Sequence, residues 1–277
     1  MLKILGVSRS GYQTWKKRLP SRQELRKQRI KARIQEIYDE SHQNYGAPKI
    51  TKILRRNGET IAEKTVGNYM RQIGIKAQYI KPYTVTTTNP DFSSTLKNLL
   101  DEKFNPERPD EVWCTDITYI WTKEGFVYLT SIMDLYSRKI IAWVLSDTLE
   151  TKWVVQAVEK AKENRKVRKP RVLHSDRGIQ YVSREYIRAT KGIIRSYSKK
   201  GYPWDNACIE SFHALIKREW LNRFKIEDYQ EAYRLVFEYI ETFYNTMRIH
   251  SHCGYLSPND YEKFNQKRLK AIVKRAG

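Results

Sequence analysis

The chain has 277 residues, enough for two modest domains and their connections, and 40% of them are hydrophobic. Its 52 Lys and Arg against 31 Asp and Glu give a formal net charge of +21, a self-repulsion that a polyanion would neutralise. No apolar run approaches the roughly 20 residues that span a bilayer, the N-terminus lacks the pattern of a signal peptide, and Cys114, Cys208 and Cys253 form no CxxC pair, which argues against a membrane protein, a disulfide framework and a Cys-rich zinc module. A soluble protein of a reducing cytoplasm with a nucleic-acid partner is expected.

The charge is uneven: the first 100 residues hold 20 basic and 7 acidic side chains, which points to a DNA- or RNA-binding front end. Residues 1–20, MLKILGVSRSGYQTWKKRLP, read as the end of one helix, a Ser-Arg-Ser-Gly turn and the start of another. Ile30, Ile34, Ile37 and Tyr38 then recur at helical spacing within a basic stretch. After NYGAP, Ile50, Ile53 and Leu54 mark a second helix that Asn57-Gly58 would end, and Val66, Tyr69, Met70 and Ile73 mark a third that stops at Gly74. Helices joined by a tight Gly-containing turn suit a helix-turn-helix unit over 21–80, in which Lys64, Asn68 and Arg71 of the third helix would face a DNA groove. A plain three-helix bundle is the alternative, and the basic charge favours DNA.

Residues 81–108 gather Thr, Asn and Pro without periodicity and read as a linker. From 109 the pattern changes to strands. VWCTDITYIW (112–121), FVYLTSIMDLYS (126–137) and RKIIAWVLSD (138–147) form a predicted antiparallel meander, with Lys123-Glu124-Gly125 as its first turn. An amphipathic helix carrying Val154, Val155, Ala157, Val158 and Ala161 follows, then a fourth strand, RVLHSD (171–176), a helix over 183–190, a short fifth strand, IIRSYS (193–198), and a helix from Asp205 or Asn206 to Trp220. This order predicts an α/β mixed sheet covered by helices over 109–222. In a C-terminal extension, 223–277, the residues Tyr229, Tyr233, Val236, Phe237, Ile240, Phe243 and Tyr244 suggest four turns of core-packing helix.

Three acids stand out on these elements. Asp116 stands in the middle of what otherwise reads as a buried strand, where an unpaired charge is costly. Asp176 ends the fourth strand, at the strand-to-loop junction where α/β sheets place their chemistry. Glu210 lies one turn into the helix DNACIESFHALIKRE. If the first and fourth strands are neighbours, Asp116 and Asp176 converge and Glu210 closes the site from above. Three gathered carboxylates repel one another unless a cation balances them. Mg²⁺ suits such a donor set and keeps positions for water and phosphate oxygens, and two ions together can run phosphoryl transfer.

The segments WCTDITYI, LHSDRGIQYVS, GYPWDNACIESFHALIKRE and YNTMRIHSHCGYLSP, with LGVSRSGYQTW and NYGAPKI upstream, resemble the DDE transposases of the third insertion-sequence family, in their second-reading-frame protein. The resemblance covers nearly the whole chain. It implies a ribonuclease-H-like, retroviral-integrase-type core with a five-stranded mixed sheet, preceded by an all-α helix-turn-helix domain and the helix-turn fragment 1–20. It further implies that Asp116, Asp176 and Glu210 bind two Mg²⁺ (Mn²⁺ may substitute) and carry DNA cleavage and strand transfer, and that Lys217, two turns beyond Glu210 on the same helical face, meets the DNA backbone. The partners so implied are the terminal inverted repeats of the element, target DNA, a second copy or more of the chain, and an upstream-frame DNA-binding protein or fusion, in a prokaryotic, nucleoid-associated setting.

Around the acids, His174 reads either as a proton shuttle or as a packed strand histidine, and Asn206 as the N-cap of the Glu210 helix. Lys199, Lys200 and Trp204 lie in SYSKKGYPW, a loop that suits unstacked bases or a simple loop anchor. Asn245, Arg248 and His250 read as a polar network or as backbone contacts. Two other functions fit parts of the pattern: a ribonuclease-H-like nuclease that only hydrolyses, and a non-catalytic helix-turn-helix regulator.

Overall fold

A computed structural model describes residue 4 and residues 6–78, 96–101, 103–166, 170–199 and 203–276; the side chains of 203, 204 and 269–276 lie outside this set. The chain divides into two compact units, Met1–Tyr79 and Ile80–Gly277.

The first unit begins with α1 (Arg9–Lys16), which buries no residue. The expected Ser-Arg-Ser-Gly turn is instead the start of this helix: the Ser8 side chain accepts the Gly11 N–H, which caps the first turn and draws Gly11 into it. The next helix, α2 (Arg22–Glu40), is capped by Ser21 and buries Ile30, Ile34, Ile37 and Tyr38, each full burial of an isoleucine contributing roughly 1.5–3 kcal/mol. Pro48 opens α3 (Ala47–Arg56), where its missing N–H costs nothing. Gly58 takes φ +88° just past the end of α3, a conformation that favours glycine, and the chain turns into α4 (Glu63–Gln72). Ile50, Leu54, Val66 and Met70 close the small core. Arg29 pairs with Glu59 at 2.7 Å, which ties α2 to the turn between α3 and α4.

The second unit is built on a five-stranded sheet in the order β3-β2-β1-β4-β5. The antiparallel meander is formed by β1 (Val112–Thr122), β2 (Gly125–Asp134) and β3 (Lys139–Ser146). On the other side of β1, β4 (Val172–Ser175) and β5 (Ile194–Tyr197) run parallel to it. Between them come α5 (Thr151–Arg165), α6 (Ile179–Val182) and α7 (Arg184–Ala189). One face of the sheet, with Trp113, Ile117, Ile132 and Leu173, packs on Val154, Ala157, Val158 and Ala161 of α5. A 3₁₀ turn, Pro203–Asn206, leads into α8 (Ala207–Glu219), which covers the opposite face.

After a short 3₁₀ turn, Leu221–Arg223, come α9 (Tyr229–Phe237), a π-helical stretch, Glu238–Tyr244, and α10 (Pro258–Ala276). The predicted four-turn stripe is therefore broken. The wider π turn rotates the inward face, so Tyr239, Ile240, Phe243 and Tyr244 are buried while Tyr233 and Phe237 are exposed. The tail holds the sheet and α8 through buried polar groups. Asn245 donates to the Ile140 carbonyl and accepts its N–H, 2.9 and 3.0 Å, and so satisfies backbone on the edge strand β3. Arg248 makes two 2.7 Å bonds to Glu219 at the end of α8, where the Tyr239 hydroxyl also donates, at 2.8 Å. Among the described residues no helix is long and apolar enough to cross a membrane.

Candidate active site

Why the sheet brings Asp116 and Asp176 together follows from register. β1 pairs with β4 only over Val112–Cys114, with Cys114 opposite His174. Two residues further along stand Asp116, still within β1, and Asp176, just past the end of β4, so the two acids come abreast where the β1–β4 pairing ends. β1 itself is central, held on its other side by ten residue pairs with β2, and this fixes Asp116 on a rigid support opposite Ser131. Glu210 lies in the first turn of α8, above the same face.

The charges of the three acids interact. Burial, then the Asp116 charge, raises the Asp176 carboxyl to about 6, against the pull of the Gly178 N–H donating at 2.9 Å. Glu210 rises to about 7 through partial burial and then Asp116 and Asp176. Glu210 is exposed at its surface, so solvent screens part of this effect. Burial lowers the Lys217 ammonium and the Asp116 charge opposes that shift. The Lys217 Nζ lies 4.4 Å over the Tyr119 ring, within cation–π range.

The carboxylates retain unoccupied oxygens. Asp176 engages Gly178 through Oδ1, Asp116 meets His213 through Oδ2, and among the described residues Glu210 makes no hydrogen bond or ion pair. Hard acceptor oxygens with mutual repulsion fit a divalent cation of the Mg²⁺ type. Among the described residues no three His, Cys, Asp or Glu side chains close into a metal cage.

His174 resolves as a packed strand histidine: its Nδ1 lies 2.9 Å from Ser196 Oγ and its Nε2 3.2 Å from Ser198 Oγ, and burial holds it down to about 4. It ties β4 to β5 behind the site. The expectation for Asn206 is corrected. Asn206 does occupy the N-cap position of α8, but its backbone, φ −114° and ψ 17°, follows a 3₁₀ turn and is not the extended cap conformation. Its side chain makes no capping bond, and both amide atoms are buried without a partner. The preceding Asp205 accepts the Lys199 N–H through Oδ2 at 2.6 Å. The Lys199 ammonium pairs with Asp101 at 3.2 Å, while Lys200 and the Trp204 side chain lie outside the described residues.

In the first unit, Lys64, Asn68 and Arg71 share one side of α4, where Arg71 Nη2 donates to Asn68 Oδ1 at 2.5 Å. Lys64 and Arg71 are exposed and line an open cleft of about 510 Å³ with Gly46, Glu63, Gly67 and Lys76.

Sequence reasoning did not single out His213. It lies on α8 between Glu210 and Lys217, and its ring nitrogens reach Asp116 and Ser131. The signal was present in the spacing: positions 206, 210, 213 and 217 form one helical stripe.

An acid-bearing five-stranded sheet of this topology and a separate helix-turn-helix unit define a ribonuclease-H-like integrase core with a DNA-binding front end. Comparison with known proteins agrees. The model of the integrase core domain matches residues 106–203, a second integrase core model matches 191–258, and an HTH-like domain matches 25–83. The transposase for insertion sequence element IS904 of Lactococcus lactis subsp. lactis (strain IL1403) is 36% identical over 250 residues, 90% of this chain and 99% of that protein. The transposase InsF for insertion sequence IS3A of Escherichia coli (strain K12) is 35% identical over 270 residues, 96% of this chain and 93% of its own. Among solved structures, the HTLV-2 integrase catalytic core domain in complex with magnesium aligns at a TM-score of 0.44 with 15% identity, covering 56% of this chain and 98% of its own. The chain belongs to the IS3 family of insertion-sequence transposases. It is a DNA transposase, a polynucleotidyl transferase, and the readings as a purely hydrolytic nuclease or a non-catalytic regulator fall away.

Proposed function

We propose that Asp116, Asp176 and Glu210 are the catalytic acids, and that they cut the 3′ ends of the element at its terminal inverted repeats and join them to target DNA. The observation that carries this reading is the proximity of the three, Asp116 on β1, Asp176 just past the end of β4 beside it and Glu210 in the first turn of α8, where burial first and then the neighbouring acid charges raise Asp176 to about 6 and Glu210 to about 7. These residues would hold two Mg²⁺ ions, with Mn²⁺ as a substitute. When bound, the ions make water and then the 3′ hydroxyl competent nucleophiles and stabilise the leaving oxygen. The rigid β1 keeps Asp116 still while Glu210, on a helix end, adjusts to the phosphate. Lys217 binds backbone phosphate beside the acids. Lys64, Asn68 and Arg71 read repeat DNA, and Lys199, Lys200 and Trp204 attend the processed end. The working division of the chain is a helix-turn fragment (1–20), a repeat-binding domain (21–80), a linker (81–108), the catalytic core (109–222) and a helical extension (223–277).

Two ends are joined in one event, so the active form is a dimer or larger assembly on DNA in the prokaryotic cytoplasm, alone or with an upstream-frame DNA-binding protein. The decisive experiment is Asp116→Asn assayed with repeat-end DNA and Mg²⁺. Binding is retained and cleavage and strand transfer are lost; undiminished strand transfer by the variant rejects the assignment. Light scattering that found one chain per synapsed pair of ends would reject the assembly.

A further inference from the structure

The face of α8 that meets the sheet carries one group with no role in that reading. His213 is buried, with 5% of its surface exposed, and its two ring nitrogens lie beside polar atoms of two neighbouring strands. Nε2 lies 3.2 Å from the hydroxyl of Ser131, which is itself fully buried, and Nδ1 lies 3.3 Å from Asp116 Oδ2. Ser131 is the residue paired with Asp116 across β1 and β2, so the ring bridges two neighbours of one cross-strand pair from above.

The order Ser–His–Asp invites comparison with a nucleophilic triad, but a serine with 0% exposure can meet no substrate. The alternative is mechanical. A hydroxyl that donates to Nε2 leaves the ring proton on Nδ1, where it faces the carboxylate. A carboxylate so held presents Oδ1 in one orientation, as outer partners do for ligating groups generally.

We propose that His213 is a positioning residue for Asp116: Ser131 sets its tautomer, and its Nδ1–H fixes the Asp116 carboxylate so that the other oxygen is presented to the metal. The inference rests on the reading of Asp116 as a metal-binding acid. It adds a connection from the Glu210 helix to the Asp116 strand, so that the first and third acids are set relative to each other by one ring.

The test uses the full chain bound to pre-cut repeat-end DNA with Ca²⁺ as the metal, and reads binding by calorimetry. His213→Phe raises the Ca²⁺ half-saturation by about 10-fold or more, the range expected when an outer partner is removed, with DNA affinity unchanged. His213→Asn, whose Nδ2 can stand where Nδ1 stood, recovers most of the loss, whereas His213→Gln does not. Equal Ca²⁺ affinity in His213→Phe and wild type overturns the proposal, as does equal behaviour of the Asn and Gln variants. Because the phenylalanine variant could fail to fold, the ring is also read directly in the wild type by proton–nitrogen NMR. A proton on Nδ1 supports the proposal, and a bare Nδ1 with the proton on Nε2 overturns it. Asp116→Asn in the same calorimetry separates this idea from the one beneath it: if that variant binds Ca²⁺ like wild type, the assignment of Asp116 itself fails.

Discussion

Removing one charge from the acid cluster should stabilise the metal-free protein. Asp176→Asn keeps the shape of the side chain and an Oδ1 to accept the Gly178 N–H, so its effect is the loss of charge. A carboxyl moved from an ordinary 3.8 to about 6 pays roughly 3 kcal/mol to ionise in the folded state, at 1.36 kcal/mol per pH unit. Screening at a partly exposed site reduces the expected gain to about 1–2 kcal/mol, or roughly 2–8 °C in Tm for a unit of this size. The sign follows from linkage. The folded carboxyl holds its proton to higher pH than the unfolded one, so the penalty is absent below the unfolded value, grows as pH rises toward about 6, and is complete above it. In EDTA the variant should therefore melt above wild type at pH 8, and about half that difference should remain at pH 5. Calorimetry or thermal fluorescence at the two pH values reads both. A variant that melts at or below wild type at pH 8, or a gap that does not shrink at pH 5, refutes the view that burial and the neighbouring Asp116 charge make the Asp176 carboxylate costly in the free protein.

Other consequences can be measured directly. Ca²⁺ in the presence of repeat-end DNA should raise the Tm of wild type and leave Asp176→Asn nearly unmoved, since only a ligand that binds the folded state stabilises it. Arg248→Met takes the Arg248 charge away from the buried Glu219 carboxylate, and should destabilise the core by about 3–5 kcal/mol in urea unfolding. Ser21→Ala removes the cap of α2 and should cost about 1 kcal/mol of stability in the first unit. If Lys64 and Arg71 contact DNA phosphates, Lys64→Ala and Arg71→Ala should each reduce the slope of log affinity against log salt by about 1, as measured by fluorescence anisotropy.

The sheet was legible because each strand stated its burial. The first three β-rich runs were separated by short connections, and Asp116 within one strand and Asp176 at the end of another were charged residues in segments that otherwise read as buried, so the acids stood out against their context. The antiparallel meander and the α5 stripe followed from periodicity alone. Long-range contacts were less visible. That His213 would meet Asp116 depends on how α8 lies across β1 and β2, which no local pattern encodes, although its place in the stripe with Glu210 and Lys217 offered a clue. Asn206 illustrates the opposite error. A good capping residue stood in the cap position, yet the 3₁₀ turn before it withheld the extended backbone on which capping depends. Past Asp228 the aromatic residues were dense enough to fit a continuous helix, and the π-helical insertion leaves no simple signature in a 3.6-residue pattern.

A site that gathers uncompensated acids needs a strong frame, and the C-terminal tail supplies part of it. α8 carries Glu210 at one end, His213 in the middle and Glu219 at the other end, and it is at Glu219 that the tail takes hold, through Arg248 and Tyr239. Phe212, one residue before His213, packs edge-on against Tyr244 at 4.8 Å, so the same tail also supports the middle of the helix. The extension is then more than a covering for the sheet. By fixing the far end and the inner face of α8, it limits how far the Glu210 end can retreat from Asp116 and Asp176 under their mutual repulsion. A buried ion pair is a poor source of net stability but an effective way to specify one arrangement of a helix. For the role proposed for Glu210, that specification matters more than the energy.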